Sequence, residues 1–230
     1  LLGPVKYHNV VASIKGTKYP DEYVIISGHL DSYDVATGGI DCGTGIGPMM
    51  EAARMIALSG AKPKRTILFV AFAGEEFGLL GAKAYVKTHA KELGKIANLF
   101  NRDGGPTPPV GISVPQAMYD DFVEVCKPVK EIRADYPFEV KVAKPFKRPT
   151  QSGGTDASVF AVEGVPTFGF NTQDIKGYNF SYGEIWHTER DLYTKNIPEY
   201  QEHAATVTAV VALGIANLSK QLSREGMHKK

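Results

Sequence analysis

The stretch TILFVAFAGEEFGLLGAKAYVKTHA, residues 66–90, decides the fold. Its first eight residues carry no charge and read as one continuous apolar strand, the composition of a strand covered on both faces. The chain then turns directly into a helix across GEEFGLLGAKAYVKTHA. A doubly covered strand feeding a helix is the unit from which parallel sheets are built.

Working outward, the same alternation repeats. Upstream, KYHNVVASI (6–14) and EYVIISG (22–28) read as two strands around a turn at Gly16 to Asp21, with Val10, Ala12 and Ile14 on one face. From Gly45, apolar residues at Ile46, Met49, Met50, Ala53, Ile56 and Ala57 recur at helical spacing and stop at Gly60. Downstream, IANLFNRDGG (96–105) reads as a strand stopping at a Gly-Gly turn, and QAMYDDFVEVCKPV (116–129) as a helix. A Pro- and Lys-rich loop from Lys144 to Gly154 precedes a short helix near Ala157 to Val162 and the strand VPTFGF (165–170). A long loop carries NFSYGEIWHTERDLY (179–193), and a largely apolar helix runs from about Pro198 to Leu222. This order predicts an α/β fold, a three-layer αβα sandwich with a mostly parallel mixed central sheet, as one domain over 1–230. No internal repeat, low-complexity tract or linker interrupts it.

Composition narrows the partners. The 26 basic and 25 acidic residues leave a formal charge of +1, which gives no reason to expect nucleic acid or an anionic membrane as partner. No uncharged apolar run reaches the roughly 18 residues of a membrane span. Only Cys42 and Cys126 are present, too few for a disulfide framework. Leu1 falls just before a strand, which suggests a domain excised from a longer precursor.

The metal-type residues fall at strand ends. His29 and Asp31 close one strand, Asp41 sits in the glycine-rich loop after it, Glu75 and Glu76 follow the next strand, and Asp103 follows a third. In open α/β sheets ligands bind outside the carboxyl ends of the strands, so these groups converge on one rim, with His187 on a late loop able to close over it. Gly38, Gly39, Gly43 and Gly45 are expected to supply the unusual dihedrals that point Asp41 back over the strand end.

Taken in order, GHLDS, GGIDCGTG, GEEFGLLG, NRDGG and WHTERD resemble the co-catalytic dizinc exopeptidases that include bacterial leucyl aminopeptidases, carboxypeptidase Q and glutamate carboxypeptidase. NVVASIKGT and GGTDASVF most resemble the carboxypeptidase Q branch. The resemblance spans nearly the whole chain. It implies two zinc ions bridged by Asp41 and a water or hydroxide, one also held by His29 and Asp103, the other by Glu76 and His187. Carboxylate and imidazole ligands suit zinc at about 2.0 to 2.2 Å, and paired ions sit roughly 3.5 to 4 Å apart. It also implies Glu75 as the general base; spacing alone leaves open which glutamate is base and which is ligand. Many relatives are secreted or periplasmic, which extends to this chain as an expectation.

Around that set, Asp31 is expected to accept a hydrogen bond from the non-ligating nitrogen of His29 and so share in catalysis, and Asp191 to do the same for His187. Relatives with Tyr before the final His place its hydroxyl on the oxyanion. Here Trp186 stands there, able to donate or merely to wall the pocket, with Tyr178 and Tyr182 as alternative donors. Cys42 replaces a second Asp found in many relatives and reads as a small buried residue, with thiolate ligation as the alternative. Asp156 fits either a helix cap or a substrate-side position. His8, His89, His203 and His228 lack matching partners and read as structural or solvated.

The implied activity is hydrolysis of a terminal peptide bond in a peptide or dipeptide. Family frequency favours an aminopeptidase, with a carboxypeptidase Q-like carboxypeptidase or dipeptidase beside it. An aminopeptidase needs a spare carboxylate near the metals for the substrate amine; a carboxypeptidase needs Arg or Lys, for which Arg102, Lys147 and Arg148 are candidates. A glutaminyl-cyclase-like acyl transferase shares the fold but generally uses one zinc. A receptor-like domain without catalysis predicts missing ligands, and none is missing. No Gly-x-Ser-x-Gly elbow and no His-Glu-x-x-His occurs.

Overall fold

The structure, a computed structural model, describes residues 3–227. At its centre β2 (Tyr19–His29), β3 (Arg65–Phe72) and β4 (Ile96–Asn101) run parallel, in the order β3-β2-β4. Side chains on β2 and β3 alternate between two cores. Val24, Ile26, Ile67, Phe69 and Ala71 pack to one side, and Ile25, Val70 and Phe72 to the other. Each fully buried residue of this size contributes about 1.5–3 kcal/mol, which is why residues 24–28 of β2 and 66–72 of β3 carry no charge.

β1 (Val10–Ile14) forms the edge, antiparallel to β3. The two N-terminal strands therefore do not pair around their turn: β3 inserts between them, antiparallel to one and parallel to the other. Helices α1 (Gly43–Leu58), α3 (Tyr119–Ile132) and α5 (Pro198–Asn217) cover the first face. α2 (Leu80–Thr88) and α4 (Asp156–Val162) cover the second. The last helix ends at Asn217, five residues earlier than its apolar pattern predicts.

Two strands absent from the sequence reading, β5 (Pro109–Val114) and β6 (Glu139–Val142), pair in parallel, and β7 (Phe170–Thr172) joins β5 antiparallel. The expected strand over 165–170 forms a ladder only at its last residue. Pro166 has no N–H to give, so the segment touches β4 through single bonds, Leu99 N–H to the Pro166 carbonyl at 2.9 Å and Asn98 Nδ2 to the Phe168 carbonyl at 3.0 Å. Those bonds carry the central sheet across to β5 and β6, and Ile112 and Val114 share the core of Val24 and Ile26. The result is a mixed, mostly parallel sheet between two helical layers.

Register places the site. His29 stands opposite Phe72, and Ser27 opposite Asn101, so the carboxyl ends of β2, β3 and β4 lie level. Whatever follows each strand by a few residues must meet at one edge.

Candidate metal centre

That edge gathers the residues expected there. His29 is 2% exposed; its Nε2 lies 2.9 Å from Asp41 Oδ1 and 3.5 Å from Asp103 Oδ1. His187 Nε2 lies 2.9 Å from Glu76 Oε2 and 4.0 Å from the other Asp41 oxygen, Oδ2. One Asp41 oxygen thus faces His29 and the other His187. The Asp41–Cys42 peptide bond is cis.

The donors suit a cation. His29 Nδ1 lies 2.9 Å from the backbone carbonyl of Asp31, which can only accept, so Nδ1 carries hydrogen and neutral His29 turns a lone pair toward two carboxylates. Only a proton or a metal ion relieves that opposition. Without a metal, burial opposes a charge on His29, but hydrogen bonds to Asp103 and Asp41 override it and push its pKa up. Burial also raises the pKa of Glu76, as does Asp41, and Glu76 Oε1 is buried without a hydrogen-bond partner. Donor atoms of His29, Asp41 and Glu76 lie within 4.8 Å of one another, as do those of His29, Cys42 and Asp103. Imidazole and carboxylate in these numbers are consistent with zinc.

Two carboxylates play parts different from those expected. Asp31 places its carboxylate 3.9 Å from His29 Nδ1, too far for a hydrogen bond. Its Oδ1 accepts the Glu75 N–H and its Oδ2 the Glu76 N–H, each at 3.1 Å. Asp191 likewise leaves His187 alone. Its Oδ1 accepts the Ile40 N–H at 2.6 Å and its Oδ2 the Asp41 N–H at 3.1 Å. Each carboxylate therefore grips two consecutive main-chain amides and sets the position of a residue in the donor cluster.

The glycines also divide differently. Only Gly38 of the four has positive φ, at +68°. Gly45 is required by close approach, because a Cβ there would sit 2.2 Å from the Arg102 carbonyl oxygen. His187 itself has φ +58°, an uncommon state for a residue with a side chain. Its ring stacks on Tyr33, at 4.1 Å and 3° between planes, and meets the Trp186 ring tilted at 32°, also at 4.1 Å. The reading of the sequence missed Tyr33, whose only signal is its place two residues after Asp31.

Glu75, Trp186 and Tyr182 line a cavity of about 510 Å³ with Asp41, Glu76 and Asp103. Burial pushes the Glu75 pKa up to about 8, with the Asp103 charge adding to it. Tyr182 lies beside the Asp41 carboxylate, whereas the Tyr178 hydroxyl bonds Glu199 and does not line the cavity. Asp156 is 0% exposed at the first residue of α4, and neither carboxylate oxygen has a partner; burial raises its pKa to about 7. The Cys42 thiol donates to the Arg102 carbonyl at 3.0 Å, and burial pushes its pKa up, both of which favour the small buried residue over the thiolate. His89 and His203 bond backbone carbonyls, and His8 is exposed; His228 lies outside the described residues. A second recess, about 560 Å³ beside Pro48 and Tyr193, is larger but holds none of the converging donors.

An α/β sandwich with imidazole and carboxylate donors gathered at its strand ends defines a metallohydrolase class. The match to the model of peptidase family M28 over residues 9–211 places the chain in that family of metallo-exopeptidases. It is 32% identical to carboxypeptidase Q of Rattus norvegicus over 94% of its own length and 43% of the relative's. It also resembles a solved peptidase M28 precursor from Shewanella amazonensis (34% identity, TM-score 0.76, 94% of this chain and 46% of that one). BSAP, a zinc aminopeptidase from Bacillus subtilis, shares the fold at 21% identity and TM-score 0.68, over 96% and 53% of the two chains. The chain thus spans less than half the length of carboxypeptidase Q. Among the described residues no helix is long and apolar enough to cross a membrane.

Proposed function

We propose that this chain is the catalytic domain of an exopeptidase that hydrolyses a terminal peptide bond at a pair of zinc ions, with Glu75 as general base. The observation that carries the reading is the Asp41 carboxylate, which turns one oxygen toward His29 and the other toward His187. His29, Asp103 and Asp41 would hold one ion, and Glu76, His187 and Asp41 the other. When bound, the pair supplies Lewis acidity at the scissile carbonyl and makes water a nucleophile near neutral pH.

Glu75 opens on the same cavity as these donors. Its carboxylate takes the proton of the attacking water and returns it to the leaving amine nitrogen. Burial makes it basic enough to hold that proton between the two steps, and cations beside it bring its pKa back toward neutrality. Asp31 acts through main-chain amides to hold the Glu75–Glu76 pair in place. The Trp186 indole N–H and the Tyr182 hydroxyl, which bonds the Asp41 carboxylate, belong to residues of the cavity wall and would be the donors to a developing oxyanion.

The test is elemental analysis of the full chain together with hydrolysis of amino-terminal p-nitroanilides and free dipeptides, for wild type and Glu75→Ala. About two zinc ions per chain are expected, with turnover abolished in Glu75→Ala while the metal is retained. Failure to take up metal from supplied zinc, with no turnover of either substrate class, would sink the proposal.

A further inference from the structure

We infer that the Lys83 ammonium anchors a free α-carboxylate, so that the cavity takes short peptides by their carboxyl end. This rests on the exopeptidase reading and assigns the terminus that the site accepts.

Charge bookkeeping inside the cavity leads there. The carboxylates in its wall are Asp41, Glu75, Glu76 and Asp103. Three of them are metal donors and the fourth is the base, so none is left to pair with a substrate ammonium. Asp156 is fully buried and does not line the cavity. On the positive side, Lys83 is the one lysine or arginine in the lining, and among the described residues its side chain has no hydrogen bond or ion pair. A lysine in the wall of this cavity whose ammonium has no partner suits an anionic group of the substrate.

The other basic candidates are engaged elsewhere. Arg102 gives its Nε to the Thr44 carbonyl at 2.8 Å and its terminal nitrogen to the carbonyls of Gly105 and Thr107, which ties the Asp103 loop to α1. Arg148 donates to the Val162 carbonyl and sits 3.9 Å from Glu163. Neither Arg148 nor Lys147 lines the cavity. The start of α2 offers little besides Lys83, because the N–H groups of Leu79, Leu80 and Gly81 already point to the carbonyls of Glu75, Gly74 and Ala73.

Space is available on the same wall. A Cβ at Gly78, Gly153 or Gly154 would meet nothing within 4 Å, so the lining there leaves room for a peptide main chain. Lys83 is the fourth residue of α2, exposed and one helical turn beyond Leu79 in the same wall. A flexible four-carbon stem with three donors can follow a carboxylate that enters along it.

A matched set of substrates tests this: a free dipeptide, its carboxyl-terminal amide and its N-acetyl form. For wild type, kcat/KM for the free acid should exceed that for the amide by about tenfold, mainly through KM, as expected for one charge-assisted contact. In Lys83→Ala the ratio should fall to about one, and Lys83→Arg should restore most of it. A binding arm needs no turnover. The single tryptophan, Trp186, lines the cavity, so quenching of its emission in zinc-loaded Glu75→Gln reports occupancy, and the free acid should bind about tenfold tighter than the amide. Equal handling of acid and amide by wild type, loss of activity on the N-acetyl form alone, or a ratio that survives in Lys83→Ala would overturn the Lys83 assignment and leave the exopeptidase intact. Absence of all turnover would overturn the exopeptidase reading, while the quenching comparison still decides Lys83.

Discussion

Removing the Asp31 carboxylate separates two accounts of this centre. Asp31 accepts two main-chain N–H bonds at 3.1 Å, from Glu75 and Glu76. A hydrogen bond to a charged group contributes about 1.5–3 kcal/mol. Both bonds are long, and the Asp31 side chain is 18% exposed, so water can partly replace the lost acceptor and the low end applies. Asp31→Ala should therefore cost about 2–3 kcal/mol in all. In a chain of this size that corresponds to a Tm lower by roughly 4–12 °C. Loss of activity should accompany it, because a base misplaced by about 1 Å forfeits on the order of a hundredfold in rate. The decisive assay is thermal unfolding of the metal-stripped protein beside zinc affinity from chelator competition. If the carboxylate acted instead by orienting His29, zinc affinity would fall while the metal-free Tm held. A metal-free Asp31→Ala protein melting within about 1 °C of wild type would refute the main-chain account.

Asp156 predicts a pH dependence whose sign is fixed. Its pKa is raised by burial to about 7 from 3.8, so the stability it contributes when protonated is complete below about pH 3.8 and is lost as pH rises through 7. Asp156→Asn should leave the metal-free protein nearly unchanged at pH 4 and stabilise it at pH 8, by at most about 4 kcal/mol; a Tm difference that does not vary with pH would contradict this. Arg65 is 2% exposed and pairs with Glu22 at 2.6 Å, so Glu22→Ala strands a buried guanidinium and should cost about 2–3 kcal/mol in a denaturant melt, less than a fully buried pair because Glu22 is partly solvated. Gly45→Ala, whose Cβ would press on the Arg102 carbonyl, should lose about 3 kcal/mol or more and weaken zinc binding with it.

The central strands were legible because burial on both faces imposes a short, continuous apolar run bounded by turn residues. The candidate donors were legible for a related reason, since strand ends are easy to locate and His29 closes one while Glu76 and Asp103 each follow one closely. β5 and β6 were not. β5 is six residues long with Pro109 and Gly111 inside it, and β6 is an exposed Glu-Val-Lys-Val edge with no apolar run to mark it. Which atom a residue presents was equally hidden. Asp31 and Asp191 were placed beside the right loops, but a sequence does not say whether a carboxylate meets a ring nitrogen or a main-chain amide. The basic residues misled for the same reason. Arg102 adjoins a donor in sequence yet spends its guanidinium on carbonyls, while Lys83, eight residues from Glu75, reaches the cavity because a helical turn carries it there.

The grip of Asp31 and Asp191 on main-chain amides separates the placement of the donors from their identity. Every residue except proline offers the same N–H, so the bonds that hold positions 41, 75 and 76 do not depend on which side chains stand there, whereas the fully buried Ile40 is fixed by packing as well. The frame behaves as a socket into which different donor sets fit. Exchanging Asp41, Glu75 or Glu76 would thus alter the donor set while the main-chain bonds that position it persist.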